Sequence, residues 1–166
     1  MNLNPELSKE QQVVLFLVLA EKVKTFFSND YYINAADNVL KKCWEWLETK
    51  KISEIQLYKL IDSLEDDDIV SMQEMDTDEN DIDIWDCIIY AVSFTCRSAY
   101  EFNGKYYFPQ PIEIVDFGYY QESKIVYERL TLGSEKMLDK IERDFLDYKN
   151  DLEIVLRKTM FEKYLK

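Results

Sequence analysis

The chain has 166 residues, 47% of them hydrophobic, which suits one domain with its own core and is too apolar for a disordered segment. It has three Gly, three Pro and no His. It therefore lacks the backbone freedom of barrels, sandwiches and nucleotide loops, and also any Ser-His-Asp, Cys-His or His-ligated metal chemistry. A net charge of −13 disfavours nucleic acid and anionic lipid as partners and favours basic surfaces.

In chain order, Ser8 and Gln11 make a capping-box pair ahead of Val13 to Phe27, which is apolar nearly all round, so a central helix is predicted over 9–27. Ser28-Asn29-Asp30 ends it. Tyr32, Ala35, Ala36, Val39, Leu40, Cys43, Trp44 and Leu47 then keep helical spacing, predicting a second helix over 31–49 with Trp44 in the core and Trp46 at its edge. A second capping box, Ser53 with Gln56, starts a third helix expected to run through Leu57, Ile61 and Leu64. Periodicity fails between Asp66 and Asp81, which reads as a loop with one turn around Ile69 and Met72. It returns in a fourth helix over 81–101. Asn103-Gly104 is a turn signal, and Pro109 and Pro111 forbid helix through Tyr106-Tyr107-Phe108, so a non-helical crossing is expected there. Tyr106, Tyr107, Tyr119 and Tyr120 flank it and are read as packing over the bundle end. A short helix is expected over 121–131, and after Gly133-Ser134 a long amphipathic helix through Met137, Leu138, Ile141, Phe145, Tyr148, Leu152, Val155, Leu156, Met160 and Tyr164. The fold class is all-α, a single-domain multi-helix bundle over 1–166, and it is expected to be monomeric.

The charge is concentrated in one place. Residues 62–86 hold twelve acids and no Lys or Arg, while 1–61 and 121–166 are each neutral. Twelve like charges destabilise a compact chain unless an outside partner uses them, so a protein-binding surface is the preferred reading, ahead of a solvated loop. Its candidate residues are Asp66, Asp67, Asp68, Glu74, Asp76, Asp78, Glu79, Asp81 and Asp83, with Met72 and Met75 as flexible apolar anchors. The Asp66 to Asp68 side chains are expected to be exposed. Asp76, Asp78 and Asn80 have the one-three-five spacing of an EF-hand. However, Asp81 stands where Gly belongs and Cys87 where a bidentate Glu belongs, so no metal or other cofactor is assigned.

Cys43, Cys87 and Cys96 are too few for a disulfide framework, and nine residues of helix would place Cys87 and Cys96 about 13.5 Å apart on opposite faces. The opening residues lack a basic n-region and a small-residue cleavage site, and the longest apolar run, Val13 to Ala20, falls short of the ~20 residues a membrane span needs. Both features fit a cytoplasmic protein with free thiols. No catalytic residue is assigned.

Three stretches carry a resemblance. They are Val14-Leu15-Phe16-Leu17-Val18-Leu19-Ala20-Glu21-Lys22-Val23, Cys43-Trp44-Glu45-Trp46-Leu47-Glu48, and Ala99-Tyr100 followed by Phe108-Pro109-Gln110-Pro111-Ile112-Glu113. Over roughly residues 9–116 the chain resembles an all-helical family of immunity proteins from bacterial polymorphic toxin systems. The resemblance implies a small cytoplasmic protein that binds and neutralises a cognate toxin domain, and it carries over no binding residue. A basic toxin, such as a nuclease that grips phosphates, would suit the acidic segment. Two alternatives stay open: a helical adaptor or structural protein without a toxin partner, and an enzyme working through carboxylates and a divalent ion.

Overall fold

Ser8 and Gln11 start the first helix, α1 (Lys9–Val23), as a complete capping box: the Gln11 N–H donates to Ser8 Oγ at 3.2 Å and the Ser8 N–H to Gln11 Oε1 at 2.9 Å. The computed structural model describes residues 7–134, 136–147 and 157–165. Every residue of α1 from Val13 to Ala20 is 1% exposed or less, as an all-round apolar helix requires. It is sheathed by α2 (Asp30–Thr49), α5 (Ile82–Phe102), α7 (Tyr119–Leu130) and α8 (Met137–Asp147), with α5 its main neighbour. No strand occurs among the described residues. The fold is all-α. No helix among those residues is long and apolar enough to cross a membrane.

The α-helical part of the first helix stops four residues before the expected end. A 3-10 turn, Lys24–Phe26, follows, after which Phe27 becomes extended and packs its ring 4.8 Å from Trp85. Asn29 caps α2 by accepting the Tyr31 N–H at 2.9 Å. Trp44 is buried as expected. Trp46 is buried too, against expectation, because Phe102 at the end of α5 packs edge-on against it and the Lys50 ammonium lies 4.4 Å over its ring.

The third helix is the largest local departure. α3 (Glu54–Tyr58) begins at a complete Ser53–Gln56 capping box yet ends six residues before Leu64, which is fully exposed. The cause lies downstream at Asp68. Its carboxylate accepts the Ser63 N–H at 3.0 Å and the Ser71 N–H at 2.9 Å, a side-chain competitor for the backbone bonds a longer helix would make. Asp66, with φ of 54°, turns the chain between them. The same carboxylate caps α4 (Ile69–Met75), a helix where the sequence suggested only one turn.

α5 runs as expected. Gly104, at φ of 71°, closes it in a left-handed conformation that suits a residue without Cβ. The crossing 103–109 is non-helical, and the short α6 (Gln110–Glu113) holds Pro111 in its first turn. Arg97 fastens this crossing to α5 by donating to the Glu113 and Val115 carbonyls at 2.8 and 3.2 Å while lying over Phe108.

The long C-terminal helix does not form as one rod. The Tyr164 hydroxyl of α9 (Arg157–Tyr164) donates to Asp144 of α8, and Lys163 pairs with Asp144 at 3.0 Å. In a continuous helix those groups would stand about 30 Å apart. α8 and α9 are therefore two helices that meet at Asp144. Tyr148, Leu152, Val155 and Leu156, expected on the rod, lie outside the described residues. Cys43, Cys87 and Cys96 are free and buried, and burial pushes the Cys43 and Cys87 thiols up to about 12.

Candidate functional site

The twelve acids of residues 62–86 divide into those the fold consumes and those it leaves in water. Asp68 is only 4% exposed, contrary to the expectation for the Asp66 to Asp68 run, because it caps α4 and holds Ser63. Asp76 accepts the Asp78 N–H at 3.0 Å through one oxygen and the Trp85 indole N–H at 2.8 Å through the other. Asp78 accepts both the backbone and the side-chain N–H of Asn80. Asp81 is 2% exposed with Oδ2 unpartnered; burial, then the charges of Asp76 and Asp78, push its carboxyl up to about 6. The Asp68, Asp76 and Asp78 oxygens are turned toward nearby backbone N–H groups, Trp85 and Asn80. No set of three acids or other ligating side chains placed to hold a metal occurs among the described residues.

The remaining acids form the face. Asp62, Glu65, Asp66, Asp67, Glu74 and Glu79 are exposed, and Asp83 and Asp86 are half-buried. Asp83 pairs with Arg129 of α7; among the described residues no other acid of the segment has an ion pair. Met75 is exposed beside Glu74, whereas Met72 packs against the core edge. Of the eleven candidate residues, then, Asp66, Asp67, Glu74, Met75 and Glu79 stand free, while Asp68, Asp76 and Asp81 are structural.

The structure adds what sequence reasoning missed. Three adjoining hollows of about 630, 390 and 260 Å³ follow the outer side of α2 where it faces residues 55–72, and Leu60 lines all three. Val39, Ile55, Leu64 and Met72 supply their apolar surface, and Asp62, Glu65 and Asp67 line the widest. One signal was legible: Leu64 stands directly before four consecutive acids, and the rest depends on two segments meeting in space. Near the α5–α6 crossing, Tyr120 is buried and Tyr119 packs 4.8 Å from Tyr90, but Tyr106 and Tyr107 are exposed instead of covering the bundle end. The two prolines carry that stretch outward.

A second charged group sits inside the bundle. Glu21 of α1, 2% exposed, accepts the Trp44 indole N–H at 3.0 Å and the Arg157 Nε–H at 2.9 Å, and pairs with Lys24. Asp37 accepts from Lys24 at 2.7 Å and from Arg157 at 2.6 Å, while the Arg157 backbone N–H donates to Glu48 at 2.8 Å. Glu21, Trp44 and Glu48 are residues of the stretches that carry the resemblance. They hold the fold together instead of facing a partner.

A family profile described as immunity protein Imm6 matches residues 11–127, most of the chain. The chain belongs to the Imm6 immunity protein family. The Imm6 match takes in most of α1, all of α2 through α6, most of α7, the whole acidic segment, the groove along α2 and the Glu21–Trp44 pair; α8, α9 and Arg157 lie beyond it. No curated protein and no solved structure matches the chain. Membership makes this an immunity protein directed against a toxin.

Proposed function

We propose that the chain neutralises a cognate toxin of a polymorphic toxin system by covering the toxin's active site with the exposed carboxylates of residues 62–83. It works in the cytoplasm as a monomer and is not an enzyme. The observation that supports this most is the combination of family membership with a segment carrying −12 of the −13 net charge, nearly all of whose solvent-facing acids lack an ion pair among the described residues. A compact domain gains nothing from such self-repulsion, whereas a basic partner converts it into fast, salt-sensitive association. A toxin that grips nucleic-acid phosphates, a nuclease above all, presents the matching basic cleft, and carboxylates can occupy it in place of phosphates.

The test is capture of the cognate toxin from the source cell, followed by its co-expression with this chain and binding kinetics on the purified pair. The unmodified chain should rescue growth and bind rapidly at low salt. A variant with Asp66, Asp67, Glu74 and Glu79 changed to Asn or Gln should associate more slowly, with the difference vanishing near 1 M salt, where the Debye length is about 3 Å. Failure of the unmodified chain to bind or protect would sink the toxin reading. Equal association rates at low salt would remove the acidic face from it.

A further inference from the structure

We propose that the groove between α2 and residues 55–72 is the anchoring site for an amphipathic helix of the toxin, apolar on one side and basic on the flank that meets Asp62, Glu65 and Asp67. This rests on the toxin reading above and adds to it where the desolvated contact forms and what chemistry it takes. The groove's α2 side runs from Tyr31 to Glu45, about 21 Å of helix, long enough to seat a helix of about 14 residues. Apolar side chains line its length: Leu60 runs throughout, Val39 and Met72 are next to it, and Ile55 and Leu64 stand more than half exposed at the wide end. Leu64 has no packing role in the isolated chain. Together Ile55 and Leu64 leave apolar surface beside the Asp62, Glu65 and Asp67 carboxylates, which a partner apolar on one side and basic on the other can cover.

Charge selects the occupant. In the widest hollow Asp62, Glu65 and Asp67 outnumber the single base, Lys59; in the next, Asp67 balances Lys42; in the narrowest, Lys42 and Lys51 outnumber Glu45. The acidic hollow meets α2 at Val39, midway along the groove, and the weakly basic one meets it at Lys42 and Glu45, so a basic flank is drawn to the Leu64 side. Geometry selects the form. Helices and turns make both walls, and no strand edge among the described residues offers backbone groups for pairing, which favours an occupant that satisfies its own backbone hydrogen bonds, as a helix does.

The probe is a synthetic 14-residue helical peptide with Leu on one face and Lys on the other, titrated into the full chain and followed by amide NMR shifts, beside a counterpart with Glu in place of Lys (about four turns each). The Leu/Lys peptide should shift resonances of residues 31–72 and leave Tyr106 and Tyr107 unmoved; the Leu/Glu peptide should not bind. The double variant Ile55→Gln, Leu64→Gln keeps its fold, because both side chains face water, and should lose about tenfold in affinity, the usual consequence of removing interface anchors. With the captured cognate toxin the same variant should dissociate about tenfold faster at an unchanged association rate. Unchanged affinity and dissociation in the double variant, equal binding of the Leu/Glu peptide, or shifts centred on Tyr106 and Tyr107 would each overturn the groove assignment. Peptide binding by the unmodified chain with no binding of the toxin would support the groove's chemistry and count against the toxin reading instead.

Discussion

The molecule handles charge in two opposite ways, at Glu21 inside the bundle and along residues 62–86 outside it. Inside, Glu21, Lys24, Asp37 and Arg157 are brought together from α1, the 3-10 turn after it, α2 and α9, and every carboxylate meets a cation or an indole N–H. Outside, Asp62, Glu65, Asp66, Asp67, Glu74 and Glu79 face water with no ion pair among the described residues. The same residue types therefore do different work. Charges balanced around the buried Glu21 and Lys24 specify how helices meet, and removing one weakens the others; charges left unbalanced on the surface add little to the fold and remain available to a partner.

The comparison can be broken most forcefully at its buried end. Glu21→Ala leaves Lys24 and Arg157 with Asp37 as their one shared acceptor and orphans the Trp44 indole, so urea unfolding should show a loss of about 3 to 5 kcal/mol. Trp44→Ala should cost as much through the cavity left by a 1% exposed ring; its expected loss, ~3 to 5 kcal/mol, would be contradicted by an unchanged unfolding midpoint.

Arg157→Ala is expected to fall below both, at about 2 kcal/mol, since the guanidinium is partly solvated and Lys24 still compensates Glu21 and Asp37. Its more specific consequence is release of α9 from the body, read as faster amide hydrogen exchange in residues 157–165. Exchange unaltered in that segment would mean that the Asp144 contacts and the buried Met160 hold α9 without Arg157.

A pH titration distinguishes the two regions by sign. Burial by itself would raise the Asp37 carboxyl, but hydrogen bonds and charge from Lys24 and Arg157 hold it below the usual range, so its contribution to stability is present at neutral pH and is lost as acid titrates it in the folded state. Asp81 behaves oppositely. Its folded value of about 6 lies above the ~3.9 of an unfolded Asp, so stability declines as pH rises between the two. Asp81→Asn should accordingly stabilise the protein at pH 7 and leave it nearly unchanged at pH 4; a variant no more stable at pH 7 would show that the buried carboxyl is not strained.

The smallest effect belongs to the exposed acids. Asp66→Asn with Asp67→Asn should shift stability by no more than about 0.5 kcal/mol. Asp68→Asn, one position further, should cost more because it weakens the cap of α4 and the tie to Ser63. Equal stability of the two variants would erase the distinction between structural and free carboxylates drawn at this point in the chain.

How much was legible in the sequence follows the range of the interaction responsible. Both capping boxes are contacts over three residues, and the apolar periods of α1, α2 and α5 repeat every three or four, so each could be read from neighbours alone. The end of α3 could not. Leu57, Ile61 and Leu64 keep helical spacing, and only the Asp68 carboxylate, folding back to Ser63, shows why the helix stops. The exposed acids of the candidate face were visible as charge arithmetic. The groove was not, because its floor joins Val39 of one helix to Leu60 and Met72 of a segment more than twenty residues on.

Composition and local pattern thus determined the helical class, the buried first helix and the acidic stretch, since each depends on residue type and short spacing. Tertiary structure decided which aspartates became caps, which tryptophan and tyrosine rings were covered, and where an apolar groove stayed open. Those outcomes depend on segments such as Glu21 and Arg157, 136 residues apart, meeting in space. Periodicity reports which side of a helix is apolar, and only the packing of the other helices determines whether that side is covered.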